Sequence, residues 1–335
     1  MIELLIDVSC ARKQCANNFL YTCNMGVLDI DHENIVVKKH TVMNRVVYTF
    51  DNFYKYPKLV RANYHKFKDK STVEKNNFYP GKRLHFTNSF TNQEIREHMD
   101  DLKRLICSHG FDNSRFVHAE SDFQTRICEV SFSVCSDEGA NKPYAAECLK
   151  DRSNTSNPHT DSNPLGPERN NKLACLCYLS KDIHGGTGLY YNKRLQTFCT
   201  DAKYEDEDKW NLWKKVQAVT TDSEKLVIIR NHYTDRSKNT FSRPTAKGFM
   251  NKSDEYFDLL HFFPMRFNRL IAYEGDIMHS MYIEDDNFYK VHERLTSNYF
   301  LDIYWDEIKN KLISKSDEEK LKKIINSTVG HLGTL

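Results

Sequence analysis

Residues 1–50 alternate short apolar runs, IELLIDV, NIVVKKHTV and RVVYTF, with polar breaks. Runs of this length rich in Val and Ile predict strands, two or three of them here. Tyr56–Lys68 predicts a helix with Pro57 in its first turn, where a missing N–H costs little. The clearest helical pattern covers Asn92–His109. Thr91 and Glu94 have the spacing of a capping box, Ile95, Met99, Leu102, Leu105 and Ile106 form one apolar stripe, and Gly110 follows as a stop. Both helices are expected to be packing elements.

From Arg115 onward the pattern turns to β. RFVHAES, TRICEVSFSVC, KLACLCYLS, GTGLYYNKR, EKLVIIRN, FNRLIAYEG and RLTSNYFLDIYW predict short strands in succession, with Gly, Asn and Asp between them. The expected fold is α+β, mainly β: a double-stranded β-helix (jelly roll, cupin-like) core with supporting helices on one face. Residues 1–114 are expected to pack on a core spanning 115–305, interrupted by a helical insertion around 200–222. The Trp210/Trp213 pair there is expected to pin that helix onto the sheet. Residues 306–335 predict a helical tail, with Ser316 and Glu319 as its capping box and NSTVGHLGTL fraying. No repeat or low-complexity linker breaks the chain, which favours one continuous domain.

Composition narrows the function classes. Lys and Arg total 48 against 46 Asp and Glu, so no strong field pulls on nucleic acid or an anionic membrane, and neither is expected as a partner. The ten cysteines lack C-x-x-C spacing, and several sit in apolar runs such as RLIC and ACLCY, where a thiol acts as a small hydrophobe. The start, MIELLIDVSCARKQ, is broken by Glu3 and Asp7 and does not resemble a signal peptide. No segment reaches the ~18 to 20 apolar residues of a membrane helix. A soluble protein of the reducing cytoplasm is expected. Oligomeric state is not legible.

Candidate chemistry begins in NPHTDSNP. Residues two apart on a strand point to one face, so His159 and Asp161 would offer an imidazole and a carboxylate to one ion. The best third ligand is His279 in FNRLIAYEGDIMHSMYI, which follows an apolar strand and a Gly-Asp turn. Two histidines and a carboxylate leave open positions, the arrangement of non-haem iron(II) oxygenases. Arg294, at the start of the next apolar strand, would clamp a carboxylate through its fork, and Thr296 would add a hydroxyl on the same face. His118-Ala119-Glu120 has no matching third ligand, His184 is expected as a turn residue, and His292 as a solvated strand-end histidine.

The run HTDSNPLGPERNNKLACLCYLSKDIHGGTGLYY, followed by FNRLIAYEGDIMHS and RLTSNYFL, resembles the catalytic core of the 2-oxoglutarate- and iron(II)-dependent oxygenases, prolyl-hydroxylase-like branch. The phrases FDNFYKYPKLVR and FYPGKRL resemble a functionally uncharacterised domain family of that superfamily. The likeness spans roughly residues 46–303 and is dense over 157–190 and 264–301. It implies Fe(II) held by His159, Asp161 and His279, with 2-oxoglutarate as co-substrate and O2 as oxidant. It also implies that Tyr178 donates to a carboxylate of 2-oxoglutarate and that Arg294 holds the C5 carboxylate, with Lys290 as the weaker alternative. The implied reaction is hydroxylation of a C–H bond in a small molecule, amino acid or peptide side chain, releasing succinate and CO2. Two other readings stay open from the residues: a Zn- or Mn-dependent hydrolase or isomerase on the same ligands, and a non-catalytic jelly-roll binding module. The substrate is not legible.

Overall fold

The computed structural model describes residues 26–72, 82–117, 127–135, 158–161, 171–181, 184–193, 196–199, 202–241, 250–284, 293–304 and 314–332. The fold is mixed α/β. Strands β1 (Val36–Val42) and β2 (Arg45–Asp51) form an antiparallel hairpin whose turn places Met43 at φ 56°. β3 (Lys82–His85), β4 (Ile127–Cys135), β5 (Asn171–Tyr178), β8 (Arg269–Glu274) and β10 (Arg294–Ile303) join them in a seven-stranded sheet, ordered β1-β2-β8-β5-β10-β4-β3. β6 (Gly186–Asn192), β7 (Phe257–Pro264) and β9 (His279–Tyr282) form a three-stranded sheet, ordered β7-β6-β9. All the strand pairs are antiparallel.

Alternation along the large sheet separates its two faces. Phe50, Phe132, Leu173, Cys175, Leu270, Leu295 and Tyr299 face one way and pack with helices α1 (Pro57–Phe67) and α2 (Asn92–Ser108). Helix α1 begins at Pro57 and buries Val60 and Tyr64. Helix α2 starts from the expected capping box, with both reciprocal Thr91–Glu94 bonds formed, and buries the whole Ile95–Ile106 stripe. After α2 the chain turns at Gly110, whose φ of 98° favours glycine. On the other face Ala174, Tyr178, Ile271 and Tyr273 meet Leu189 and Phe263 of the small sheet, forming a second core between the sheets. The supporting helices therefore do lie on one face.

Several expectations need correction. EKLVIIRN is not a strand: it lies in helix α4 (Asp222–Phe241), which follows α3 (Ala202–Gln217), so the insertion is longer than 200–222. Thr221 and Glu224 form a capping box, with the Glu224 N–H donating to the Thr221 hydroxyl and the Thr221 N–H to the Glu224 carboxylate, and this fixes a helix start despite the β-branched run. Trp213 packs in a cluster with Leu212 and Val216 of its own helix and with Ile229 of α4 and Leu321 of the last helix, so it pins helix to helix rather than helix to sheet. Strand β7 is not among the expected strands. The last helix, α5 (Lys315–Leu332), is capped by Ser314, whose hydroxyl accepts from Asp317 N, and not by Ser316; it continues through much of the segment expected to fray.

Cys107, Cys175, Cys177 and Cys199 are free thiols. Among the described residues, no helix is long and apolar enough to cross a membrane.

Candidate metal centre

The centre is built where the small sheet is extended by one short ladder. His279 opens β9, and across from it lies His159: each backbone N–H donates to the other's carbonyl at 2.9 Å. This pairing sets the imidazoles side by side, with ring centroids 4.6 Å apart. Two residues on, the Asp161 N–H donates to the Gly275 carbonyl at 2.7 Å, and this turns its carboxylate toward both rings. His279 Nε2 lies 3.1 Å from Asp161 Oδ2, and His159 Nε2 lies 3.7 Å from Asp161 Oδ1. One ligand atom from each of the three falls within 4.8 Å of the others.

The donor set fits a first-row divalent ion. Ligands at ~2.1 Å on adjacent octahedral positions stand roughly 3 Å apart, close to the His279–Asp161 separation. The tautomer fits as well. His279 Nδ1 lies 2.8 Å from the Ile277 carbonyl, which can only accept, so Nδ1 carries the proton and the Nε2 lone pair points at the centre. His279 is buried and His159 half-exposed, so the centre has one closed and one open side. Burial pulls the His279 pKa down, but the Asp161 carboxylate and the Ile277 carbonyl outweigh it and leave the pKa raised. For Asp161, burial pushes up, while His279, His159 and the charge of Arg83 outweigh it and leave the carboxyl below its usual value.

A Cβ at Gly275 would stand 3.0 Å from Lys172 Cβ and 3.1 Å from Asp161 Cβ, so any other residue here would push the ligand-bearing segment back by a few tenths of an ångström. The Tyr273 ring lies edge-on to His279, with centroids 4.8 Å apart, and walls its buried side.

The residues assigned to the co-substrate share one face of the large sheet. Thr296 on β10 lies directly across from Tyr178 on β5 and from Ser133 on β4, and Ser133 in turn faces Arg83 on β3. Arg294, two residues before Thr296, is buried, and its guanidinium carbon lies 5.7 Å from the Tyr178 ring centroid. The Tyr178 hydroxyl is 2.8 Å from Thr187 Oγ1 on the small sheet. If Thr187 donates there, the phenolic proton is left for a carboxylate. Burial raises the Tyr178 pKa against the nearby Arg294 charge, so the phenol keeps its proton near neutral pH. Thr296 is buried, its hydroxyl 3.4 Å from the Ser133 carbonyl. Asn298, next on the same face, donates to Ser133 Oγ at 2.8 Å.

Lys290, His292 and the His118–Glu120 triplet lie outside the described residues. His184 is exposed and precedes Gly185, whose φ is 71°. Sequence reading missed Tyr273, Gly275, Arg83, Ser133 and Asn298. For Tyr273 a signal existed: it alternates with Ile271 and Arg269 on a strand that ends just before the distal histidine.

Residues 221–301 match the model of a family of unknown function, DUF6445. That match carries no statement of activity. It takes in β7, β8, β9 and most of β10, hence His279, Arg294 and Thr296, and leaves His159, Asp161 and Tyr178 outside. No curated protein matches the chain.

Proposed function

We propose that this protein is an Fe(II)- and 2-oxoglutarate-dependent oxygenase built on a double-stranded β-helix. The observation that carries the reading is a convergence. His159, Asp161 and His279, from segments far apart in sequence, meet within 4.8 Å, while a buried arginine, a tyrosine and a threonine line the neighbouring sheet face. The strand order supports the scaffold: β4-β10-β5-β8 lie within one sheet, against β7-β6-β9 with the His159 segment bridged to β9, as two interlocked four-stranded Greek keys would require.

His159, Asp161 and His279 would hold the iron. When bound, the iron supplies the redox chemistry by which O2 and 2-oxoglutarate become succinate and CO2 while one oxygen atom enters a substrate C–H bond. The chain's own residues do the rest. Arg294 presents a fixed fork to the far carboxylate of the dicarboxylic acid, and its burial excludes the water that would compete for that pairing. Tyr178, kept protonated, donates a hydrogen bond to the same acid, and Thr296 adds a hydroxyl beside it. The Ile277 carbonyl holds the His279 ring in its ligating tautomer. A purely hydrolytic metal centre would leave this basic and hydroxylic face without a task.

The substrate is a small molecule, amino acid or peptide side chain. Purified protein incubated with Fe(II), 2-oxoglutarate and O2 against a panel of these should form succinate, stimulated by the true substrate. Formation that persists when zinc replaces iron, or in His279→Ala, would reject the oxygenase reading.

A further inference from the structure

A partly buried charge network lies behind the candidate centre and has no part in the chemistry proposed above. Glu274, at the end of β8, is its hub. Arg115 donates to both of its carboxylate oxygens, at 2.7 and 2.8 Å, Asn171 Nδ2 approaches at 3.3 Å, and Arg45 donates from Nη1 at 3.1 Å. Arg45 also reaches past Glu274: its Nη2 lies 2.6 Å from Oδ2 of Asp276, a carboxylate with no solvent exposure. Burial disfavours the charge on both partners: on Arg45 the two acidic groups more than restore it, whereas for Asp276 burial outweighs the Arg45 charge and leaves the pKa raised. So Arg45, delivered by β2 from far along the chain, bridges the only two acidic side chains of the segment Glu274–Met278.

That segment is the one that aims two of the three ligands. Between the bridged acids lies Gly275, whose carbonyl accepts from Asp161 N at 2.7 Å and whose N–H donates to the Lys172 carbonyl at 2.6 Å. Directly after Asp276 comes Ile277, whose N–H returns to the Glu274 carbonyl at 3.1 Å and whose own carbonyl orients His279 Nδ1. From the opposite side Phe198 accepts from Met278 N at 2.8 Å, and Arg45 Nη2 comes within 3.8 Å of Cys199 Sγ. The carbonyls of Gly275 and Ile277 thus owe their relative placement to a turn whose flanking carboxylates are tied by one guanidinium.

We infer that Arg45 is a positioning residue for the metal centre: by forking between Glu274 and Asp276 it fixes the Gly275 and Ile277 carbonyls, and through them Asp161 and His279, in ligating register. Arg45 touches neither ligand. The inference rests on the metal-centre reading above. Groups that orient metal ligands in this indirect way typically contribute ~10- to 100-fold in metal affinity.

The test uses Co(II) alone, titrated anaerobically into the metal-free full chain, together with melting of the metal-free proteins. Arg45→Lys keeps a positive charge but offers a compact ammonium that cannot fork to both carboxylates. Arg115→Lys is the comparator, because Arg115 donates to both oxygens of the same Glu274. All titrations are run well below every variant's melting point, so that unfolded protein does not enter the binding curve. Arg45→Lys should bind Co(II) at least about tenfold more weakly than wild type, with an altered visible Co(II) spectrum, and Arg115→Lys should lose stability without a comparable loss of affinity. Wild-type affinity in Arg45→Lys overturns the inference. So does an equal loss in Arg115→Lys, since that makes the network a general support. If wild type takes up no Co(II), the metal-centre reading falls and this inference with it, an outcome distinct from the other two.

Discussion

Acidification should destabilise this protein through His98, by an amount that can be worked out. His98 sits on the buried side of α2, its ring stacked on Tyr54 with centroids 5.8 Å apart and tilted against Tyr299 at 5.1 Å. Burial drives its pKa from 6.5 down to about 4, against the smaller opposing effects of the nearby Leu28 backbone and the charge of Asp101. With the folded pKa below the unfolded one, the unfolded chain takes up the proton first as pH falls. The contribution is therefore intact above 6.5 and is lost as pH drops toward 4. At about 1.36 kcal/mol per pH unit the whole loss is roughly 3 kcal/mol, and about 2 kcal/mol of it falls between neutrality and about pH 5. His98→Phe keeps a flat ring of similar size and removes the titration. Urea unfolding at both pH values should show wild type losing about 2 kcal/mol more than the variant on acidification. Equal losses would refute the assignment. The comparison also serves the metal centre, because His159 and His279 must be neutral to bind an ion, so metal uptake falls in acid for its own reason. His98→Phe should leave the pH dependence of metal uptake at its wild-type form.

Three further outcomes are expected. Arg294→Lys replaces a fork with a point charge and should weaken 2-oxoglutarate binding by roughly ten- to a hundredfold while Co(II) affinity holds; equal losses of both would reject the clamp role. Gly275→Ala forces a methyl to 3.0–3.1 Å from Lys172 and Asp161, so one of them must shift, and Co(II) affinity should fall; unchanged affinity would mean that the Asp161 segment adapts freely. Thr221→Ala removes the cap of α4 and should cost about 1 kcal/mol in urea unfolding, whereas an unchanged midpoint would show that the cap contributes nothing to stability.

What was legible in the sequence depended on how many signals agreed. Helix α2 was legible in full because its cap, its apolar stripe and its glycine stop all point to the same boundaries. In α4 two signals conflicted: LVII suggests a strand, the Thr221–Glu224 box suggests a helix start, and the helix forms with Ile228 and Ile229 packed near Trp213. β7 gave little signal, because Asp258 and His261 interrupt the apolar residues of FDLLHFFP without a strict alternation, and several of its side chains are only partly buried. At the end of the chain two serines competed for one cap, and only the observed bond to Asp317 N selects Ser314.

The His159/Asp161 pair was legible from local spacing, and Arg294 and Thr296 from alternation along one strand. The groups around them were not. Gly275 matters because a segment more than a hundred residues earlier in the chain lies against it, and Arg45 matters because β2 reaches the turn after β8. Such relations belong to register and topology, which no local pattern encodes.

The central claim is that the three clustered ligands hold an iron that receives 2-oxoglutarate beside Arg294. Its most direct test is an anaerobic titration of Fe(II)-loaded protein with 2-oxoglutarate, followed by visible absorption. A weak charge-transfer band should grow and saturate at one equivalent in wild type, require higher concentrations in Arg294→Lys, and be missing in His279→Ala. Wild type that binds Fe(II) yet develops no band, or His279→Ala with the full band, would contradict the account.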